Sequence, residues 1–379
     1  MKCFASCAAV VALASSAMGQ IMMDGVLDAD YGNPKVGQIV HTGFGDASDG
    51  VNGYANGSEL NGGWIKVDTD TGMLYLFLSG NLESNFNKLD IFIDCIPGAG
   101  QNEVRSDNPD VDFNSLSRMG RGLVDTDNDG TPDTEAPGLK FDADFAPDFF
   151  ITTTIGGYDP AANPTGPTQY ANIAQMLTDG GGVGAYVGNG PFTNATTGSN
   201  LIDDAVYGTQ FSINNSNVGG VSGDSANAGS GCGVTTGIEI KIPLVLTGWD
   251  GSSDVKVCAF INGQGHDYAS NQVLGTLPAG NGNLGGDGLG GYVGGWPAAL
   301  RIDFSTIEGN QYFSTADADA CAACFGDLDG SGEVDQGDVA LALLDYGPCP
   351  GCSADIDGTG EVDFGDVALI LLSSGPCGG

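Results

Sequence analysis

Between residues 20 and 315 the chain alternates short apolar runs with clusters of Gly, Asn and Asp. The runs at 64–67, 73–79, 89–96, 149–154, 209–213, 237–242, 255–261 and 300–304 have the length and residue types of strands. Ile238-Glu239-Ile240-Lys241-Ile242 alternates apolar with charged positions, which predicts a strand with one face in a core and one in water. Val67 to Met73, reading V-D-T-D-T-G-M, predicts a hairpin turn. Only 170–177 carries a spacing that competes for a helix. The stretches near 183–200, 217–235 and 279–295 are mostly Gly, Asn and Ser and are expected to be loops. The pattern as a whole predicts a mainly β protein, a jelly-roll-type β-sandwich with long Gly-rich loops.

The last residues have a different grammar. Residues 326–349 and 354–377 align at an offset of 28 with 17 of 24 positions identical, so the tail is an internal repeat. Each copy opens with alternating oxygen-bearing residues and continues into a short apolar helix, at 339–344 and 367–372. Gly347-Pro348 and Gly375-Pro376 then stop the helices. In loop positions 1, 3, 5, 7, 9 and 12 the first copy places Asp327, Asp329, Ser331, Glu333, Asp335 and Asp338. The second places Asp355, Asp357, Thr359, Glu361, Asp363 and Asp366. A hard cation such as Ca²⁺ takes six to eight oxygens, and alternate side chains of a tight loop can converge on one point. Gly332 and Gly360 stand where the loop must turn sharply, and position 7 needs to offer only its carbonyl. Val334 and Val362 are expected to make an apolar contact between the loops.

Loop then helix, twice, resembles a type I dockerin, and the Cys-flanked, Asp-rich form resembles the dockerin-like tails of planctomycete exported proteins. The resemblance covers about the last 55 residues and implies a small α module with paired Ca²⁺ loop-helix repeats. It also implies a cohesin-like or other extracellular protein partner. The chain departs from the cohesin-contact pattern: Gln336-Gly337 and Phe364-Gly365 stand where a Ser-Thr pair is usual, and 324–379 has no Lys or Arg. In the first domain, Met23 to Asp28, Leu74 to Leu82 and the run 237–244 resemble family 9 carbohydrate-binding modules and DOMON sandwiches, which implies recognition of a polysaccharide. Trp64, Trp249, Trp296, Tyr75, Tyr268 and Tyr292 are the aromatic rings available for a sugar platform, though rings in a sandwich more often serve the core.

Charge and the N-terminus narrow the setting. With 48 Asp+Glu against 11 Lys+Arg, the net charge is −37, which excludes nucleic acid and anionic membrane surfaces as partners. Met1-Lys2, an apolar run through Ala14 and small residues at Ala17 and Gly19 read as a secretory signal peptide, placing the protein outside the cell or on its surface. No later run is long enough to span a bilayer. The expected organisation is 1–19 signal peptide, 20–315 β-sandwich, 316–323 linker and 324–379 dockerin-like module.

Eight cysteines follow the signal, and export favours disulfides. Cys324 with Cys349 and Cys352 with Cys377 bracket the two copies at one offset. The pairs Cys321/Cys324 and Cys349/Cys352 also imitate a zinc ribbon, less well suited to an oxidising compartment. A third acidic loop, Asp125, Asp127, Asp129, Thr131 and Asp133, has Gly130 at the turn but Ala136 at position 12, with Glu135 beside it. It resembles the calcium repeats of thrombospondin type 3, which implies a cation that stiffens a long loop.

No HExxH helix, GxSxG elbow or phosphate loop occurs, and the two histidines, His41 and His266, stand alone in sequence. A glycosidase needs only two carboxylates, and Asp90, Asp94 and Glu239 on expected strands are not distinguished from other acids. The reading is an exported non-catalytic binding or structural protein with a Ca²⁺-dependent attachment tail and carbohydrate as the expected ligand. The alternatives are a polysaccharide-active glycoside hydrolase and a cell-surface or matrix structural protein.

Overall fold

The computed structural model describes residues 21–45, 57–125, 127, 129–157, 166–192, 199–221, 231–278, 280–294, 297–321, 326–329, 333–349, 352–357 and 359–376. The expected signal peptide, Trp296, Cys324, Ser331, Gly332 and Cys377 lie outside them.

The protein is mainly β, with antiparallel sheets. Strands β1 (Val36–Gly37), β2 (Glu59–Asp68), β3 (Met73–Asn81) and β4 (Lys88–Asp94) are followed by helix α1 (Ser115–Met119) and the hairpin β5 (Gly122–Val124) and β6 (Thr134–Ala136). Then come β7 (Phe149–Gly156), β8 (Thr168–Gln175), β9 (Gly184–Pro191), β10 (Ser199–Asp204), β11 (Thr209–Asn214), β12 (Gly237–Pro243), helix α2 (Leu244–Thr247), β13 (Lys256–Asn262), β14 (Ala269–Leu274) and β15 (Phe313–Ser314). One sheet runs β1-β2-β3-β12-β11-β10 and the other β14-β13-β4-β7-β8-β9, with β15 added to β13.

Period-2 patterning builds the shared core. Leu74, Leu76 and Leu78 of β3 and Ile238, Ile240 and Ile242 of β12 belong to one buried cluster with Leu89, Ile91 and Ile93 of β4 and Val257, Ala259 and Ile261 of β13. Alternate residues of one sheet thus meet alternate residues of the other. The outer faces are covered as well. Phe92, Phe150, Cys258 and Phe260 on the far side of the second sheet pack with Met119, Phe141, Phe145 and Phe304 from the connecting segments. Tyr31 lies with Trp64, Tyr75 and Phe77 over the first sheet. Trp64 and Tyr75 are therefore core, while Tyr292 is exposed.

Three expectations change. Segment 170–177 is strand β8 rather than a helix, because it pairs with β7 and β9 along its length. The expected loop 183–200 contains β9. Strand β12 is not half-solvated: Glu239 is fully buried, its carboxylate accepting hydrogen bonds from the Asp24 and Gly25 backbone N–H groups and the Tyr31 hydroxyl at 2.9–3.1 Å.

The stretch expected as a linker stays on the β domain as far as Cys321. Lys35 pairs with Asp319 at 2.8 Å, the Ala320 N–H donates to the Pro34 carbonyl, and Cys321 is disulfide-bonded to Cys232. Cys349 is bonded to Cys352, so neither pairs with the cysteine that brackets its copy, Cys324 or Cys377, and neither thiolate is left for zinc. Cys95 and Cys258 are buried free thiols.

The tail contains β16 (Glu333–Val334), α3 (Gln336–Leu344), β17 (Gly347–Pro348), β18 (Glu361–Val362), α4 (Phe364–Leu372) and β19 (Gly375–Pro376). Its pairing is reciprocal: Val334 sits opposite Gly375, and Val362 opposite Gly347. The two valines share the buried cluster with Ala342, Ala354, Val367 and Ile370, but each is paired in register to the exit of the other copy's helix, not to its counterpart. No helix among the described residues is long and apolar enough to cross a membrane.

Candidate functional site

Each tail loop draws three carboxylates together. Oxygens of Asp327, Asp329 and Asp338 lie within 4.8 Å of one another, and so do those of Asp355, Asp357 and Asp366. The position-12 aspartates are held by the backbone. Asp338 Oδ1 accepts from the Leu328 and Asp329 N–H groups at 2.6 and 3.1 Å, and its Oδ2 accepts from Asp335 N–H at 2.8 Å. Asp366 repeats this with Ile356, Asp357 and Asp363. These backbone bonds, led by the one from Asp363, hold the Asp366 carboxyl below its ordinary range.

Position 9 does something else. Asp335 and Asp363 are N-caps, accepting from Gly337 and Gly365 N–H at 2.6 Å, and each closes a capping box with the aspartate three residues on. Neither belongs to its carboxylate triad. Thr359 donates to the Glu361 carbonyl, and the Glu361 side chain is exposed. Among the described carboxylates, the folded loops converge those of positions 1, 3 and 12.

One atom tests whether a cation suits the second loop. Asp355 Oδ2 accepts from Gly360 N–H at 2.8 Å, whereas Asp355 Oδ1 is buried and has no hydrogen-bond partner among the described residues. A buried carboxylate oxygen without a partner is costly unless something positive meets it. The loop fits a cation bound by oxygen, with Asp355, Asp357 and Asp366 as its carboxylates.

The third acidic loop forms the tip of the β5–β6 hairpin. Asp125, Asp127 and Asp133 converge within 4.8 Å; Asp129 and Thr131 are outside this group, Asp129 accepting from the Thr131 N–H. Glu135 faces Arg121 at 2.7 Å, and Ala136 is buried. Position 12 of this loop therefore supplies no oxygen to the cluster.

A second constellation escaped the sequence reading. His266 is almost fully buried, with Nδ1 at 3.0 Å from Asp90 Oδ2 and Nε2 at 3.0 Å from Asp112 Oδ2. Lys88 reaches Asp112 at 2.9 Å, and the Asn262 amide donates to Asp90 Oδ2 at 3.0 Å. Burial pushes the imidazole pKa down, but the Asp90 and Asp112 carboxylates outweigh it and raise it. Burial likewise raises the Asp112 carboxyl, yet His266 and Lys88 bring it down to about 2. The network alternates basic and acidic side chains: Lys88, Asp112, His266 and Asp90. Its members lie on β4, on the turn after β13 and on the segment before α1, so no local spacing announces them; His266 and Asp112 are 154 residues apart.

No protein-family model, no curated protein and no solved structure matches the chain.

Proposed function

We propose that the protein is an exported, non-catalytic binding protein whose β domain recognises carbohydrate and whose tail is a Ca²⁺-dependent attachment module. The observation that carries the tail's role is the pair of equivalent carboxylate triads, Asp327/Asp329/Asp338 and Asp355/Asp357/Asp366, with the buried Asp355 Oδ1 of the second left without a partner among the described residues. All-oxygen donors and an acid-rich tight loop favour Ca²⁺ over softer metals. We read the two sheets as a jelly-roll-type sandwich and the tail as dockerin-like. The exposed Leu343, Leu344, Phe364, Leu371 and Leu372 offer an extracellular protein partner, cohesin-like or other, an apolar face.

Uncompensated, the loop carboxylates repel one another. With calcium near millimolar and a Kd of about 10 μM, each occupied site adds about 2.7 kcal/mol. Calorimetric titration of the full chain with Ca²⁺, after chelation and dialysis, tests the reading. The expected result is saturable binding at both tail loops, with a melting transition that moves up on adding Ca²⁺. Absence of Ca²⁺ binding, or a transition indifferent to chelator, rejects it. Release of soluble sugar from a polysaccharide would replace the non-catalytic reading with that of a glycoside hydrolase.

A further inference from the structure

Two adjoining hollows of about 460 and about 440 Å³ lie above the Lys88–Asp112–His266–Asp90 network and share Phe86, Lys88 and Phe113 in their walls. Such volumes are in the range of small-molecule sites. The floor comes from the outer face of the second sheet, where Lys88, Thr154 and Tyr170 stand in register across β4, β7 and β8, and Asn172 stands opposite Tyr186 across β8 and β9.

Three observations separate this cleft from an ordinary surface depression. The first is backbone strain. Of the seven described non-glycine residues at positive φ, Phe86, Asp112, Phe113, Asn114 and His266 are at or beside the cleft, with φ between 41° and 68°. Such conformations are strained for residues that carry a Cβ and persist where the surroundings impose them. The second is exposed aromatic surface: the Phe113 ring is 87% exposed and Tyr186 54%. Phe86 is let in by Gly156, where a Cβ would meet its ring at 2.2 Å. The third is unused polar capacity. Asn172 is only 6% exposed and lines the cleft, yet its side-chain amide has no hydrogen-bond partner among the described residues. The Arg118 guanidinium on the rim has no carboxylate partner among them either, in a chain with 48 acids.

We propose that this cleft binds a neutral pyranose unit of an oligosaccharide, its C–H face against Phe113 and Tyr186 and its hydroxyls on Asn172, Lys88 and Asp112. The inference rests on the reading of the β domain as carbohydrate-binding and gives it a place. Rings alone suit any apolar ligand; rings beside an amide that opens into the cleft suit a ligand with an apolar face and a hydroxylated edge. The neutral assignment rests on the net charge of −37, which repels polyanions, and the oligouronate arm of the test decides whether the rim Arg118 overrides it.

The test is calorimetric titration of the full chain with neutral hexasaccharides (cello-, xylo-, manno- and laminari-series) and with oligouronates. The variants are Phe113→Ala, Tyr186→Ala and Asn172→Ala, with Tyr292→Ala as an exposed-ring control. Phe113→Ala removes a ring that is already in solvent, so folding is retained. The expected result is binding of at least one neutral series, weakened about tenfold by each ring variant and unchanged by the control. Binding that ignores Phe113, Tyr186 and Asn172 overturns the cleft and leaves carbohydrate recognition standing. Preference for oligouronates overturns the neutral assignment. No binding by any series overturns both the cleft and the carbohydrate reading.

Discussion

His266 Nε2 lies 3.0 Å from Asp112 Oδ2, and the same imidazole reaches Asp90 on its other side. The ring is buried between two carboxylates that favour its protonated form, with Lys88 completing the row and Arg118 on the cleft rim. Because the folded-state pKa of His266 is raised, its contribution to stability is fully present below about pH 6.5 and is lost as pH rises through the folded value. Urea midpoints measured from pH 6 to 10 are expected to fall in the wild type. His266→Gln is expected to be less stable by about 3 kcal/mol at pH 6 and to lose that slope. A slope that survives in the variant assigns the titration elsewhere.

Glu239 acts in the same sense over a lower pH window. Burial outweighs its three hydrogen bonds and raises its carboxyl to about 7. The folded state then holds a proton that the unfolded state releases, so stability falls as pH rises from about 4.5 to about 7, by at most about 3 kcal/mol. Glu239→Gln keeps the shape and an acceptor for Asp24 and Gly25. Its melting temperature is expected to vary less across that window than the wild type's.

Capping and ligation by the tail aspartates are separable. Asp327→Ala with Asp355→Ala is expected to reduce Ca²⁺ stoichiometry by two and to remove the Ca²⁺-dependent rise in melting temperature. Asp335→Ala removes an N-cap, which costs about 1 kcal/mol, and is expected to leave stoichiometry unchanged. Stoichiometry lost equally in both variants would mean that position 9 ligates after all.

Phe113 stands at φ 57° between two other left-handed residues, Asp112 and Asn114. Phe113→Gly is expected to raise stability by up to about 1 kcal/mol, since glycine carries no Cβ penalty there, while weakening glycan binding about as much as Phe113→Ala. Denaturant curves and titrations on the same preparations check both halves.

The Cys232–Cys321 bond joins residues 89 apart, and Cys349–Cys352 joins residues 3 apart. On loop-closure entropy, replacing the first pair by Ser costs about 4–5 kcal/mol and the second about 2 kcal/mol. Equal losses in urea unfolding would contradict that ordering.

What could be read from the chain was whatever is local. The loop aspartates announce themselves by spacing, and the 67–73 turn appears as written, Asp68 opposite Met73. Strand β8 was misread because both its faces are covered, so its polar and apolar positions do not sort into one wet and one dry side. Cysteine pairing depends on which segments the fold brings close, and Cys321 lies nearer in space to Cys232 than any bracket in the repeat suggests. The buried network was illegible for the same reason: Lys88, Asp112 and His266 become neighbours only when β4 and β13 pair.

The crossed pairing in the tail has a consequence for how such a module can arise and be trimmed. Val334 of the first copy needs Gly375 after the second helix, and Val362 of the second needs Gly347 after the first. Each copy is thus fastened by its sibling, and a lone copy has an unfastened edge. Deleting either one leaves the survivor's short strand without its partner, so the duplicated pair, not the 28-residue unit, is the expected folding unit.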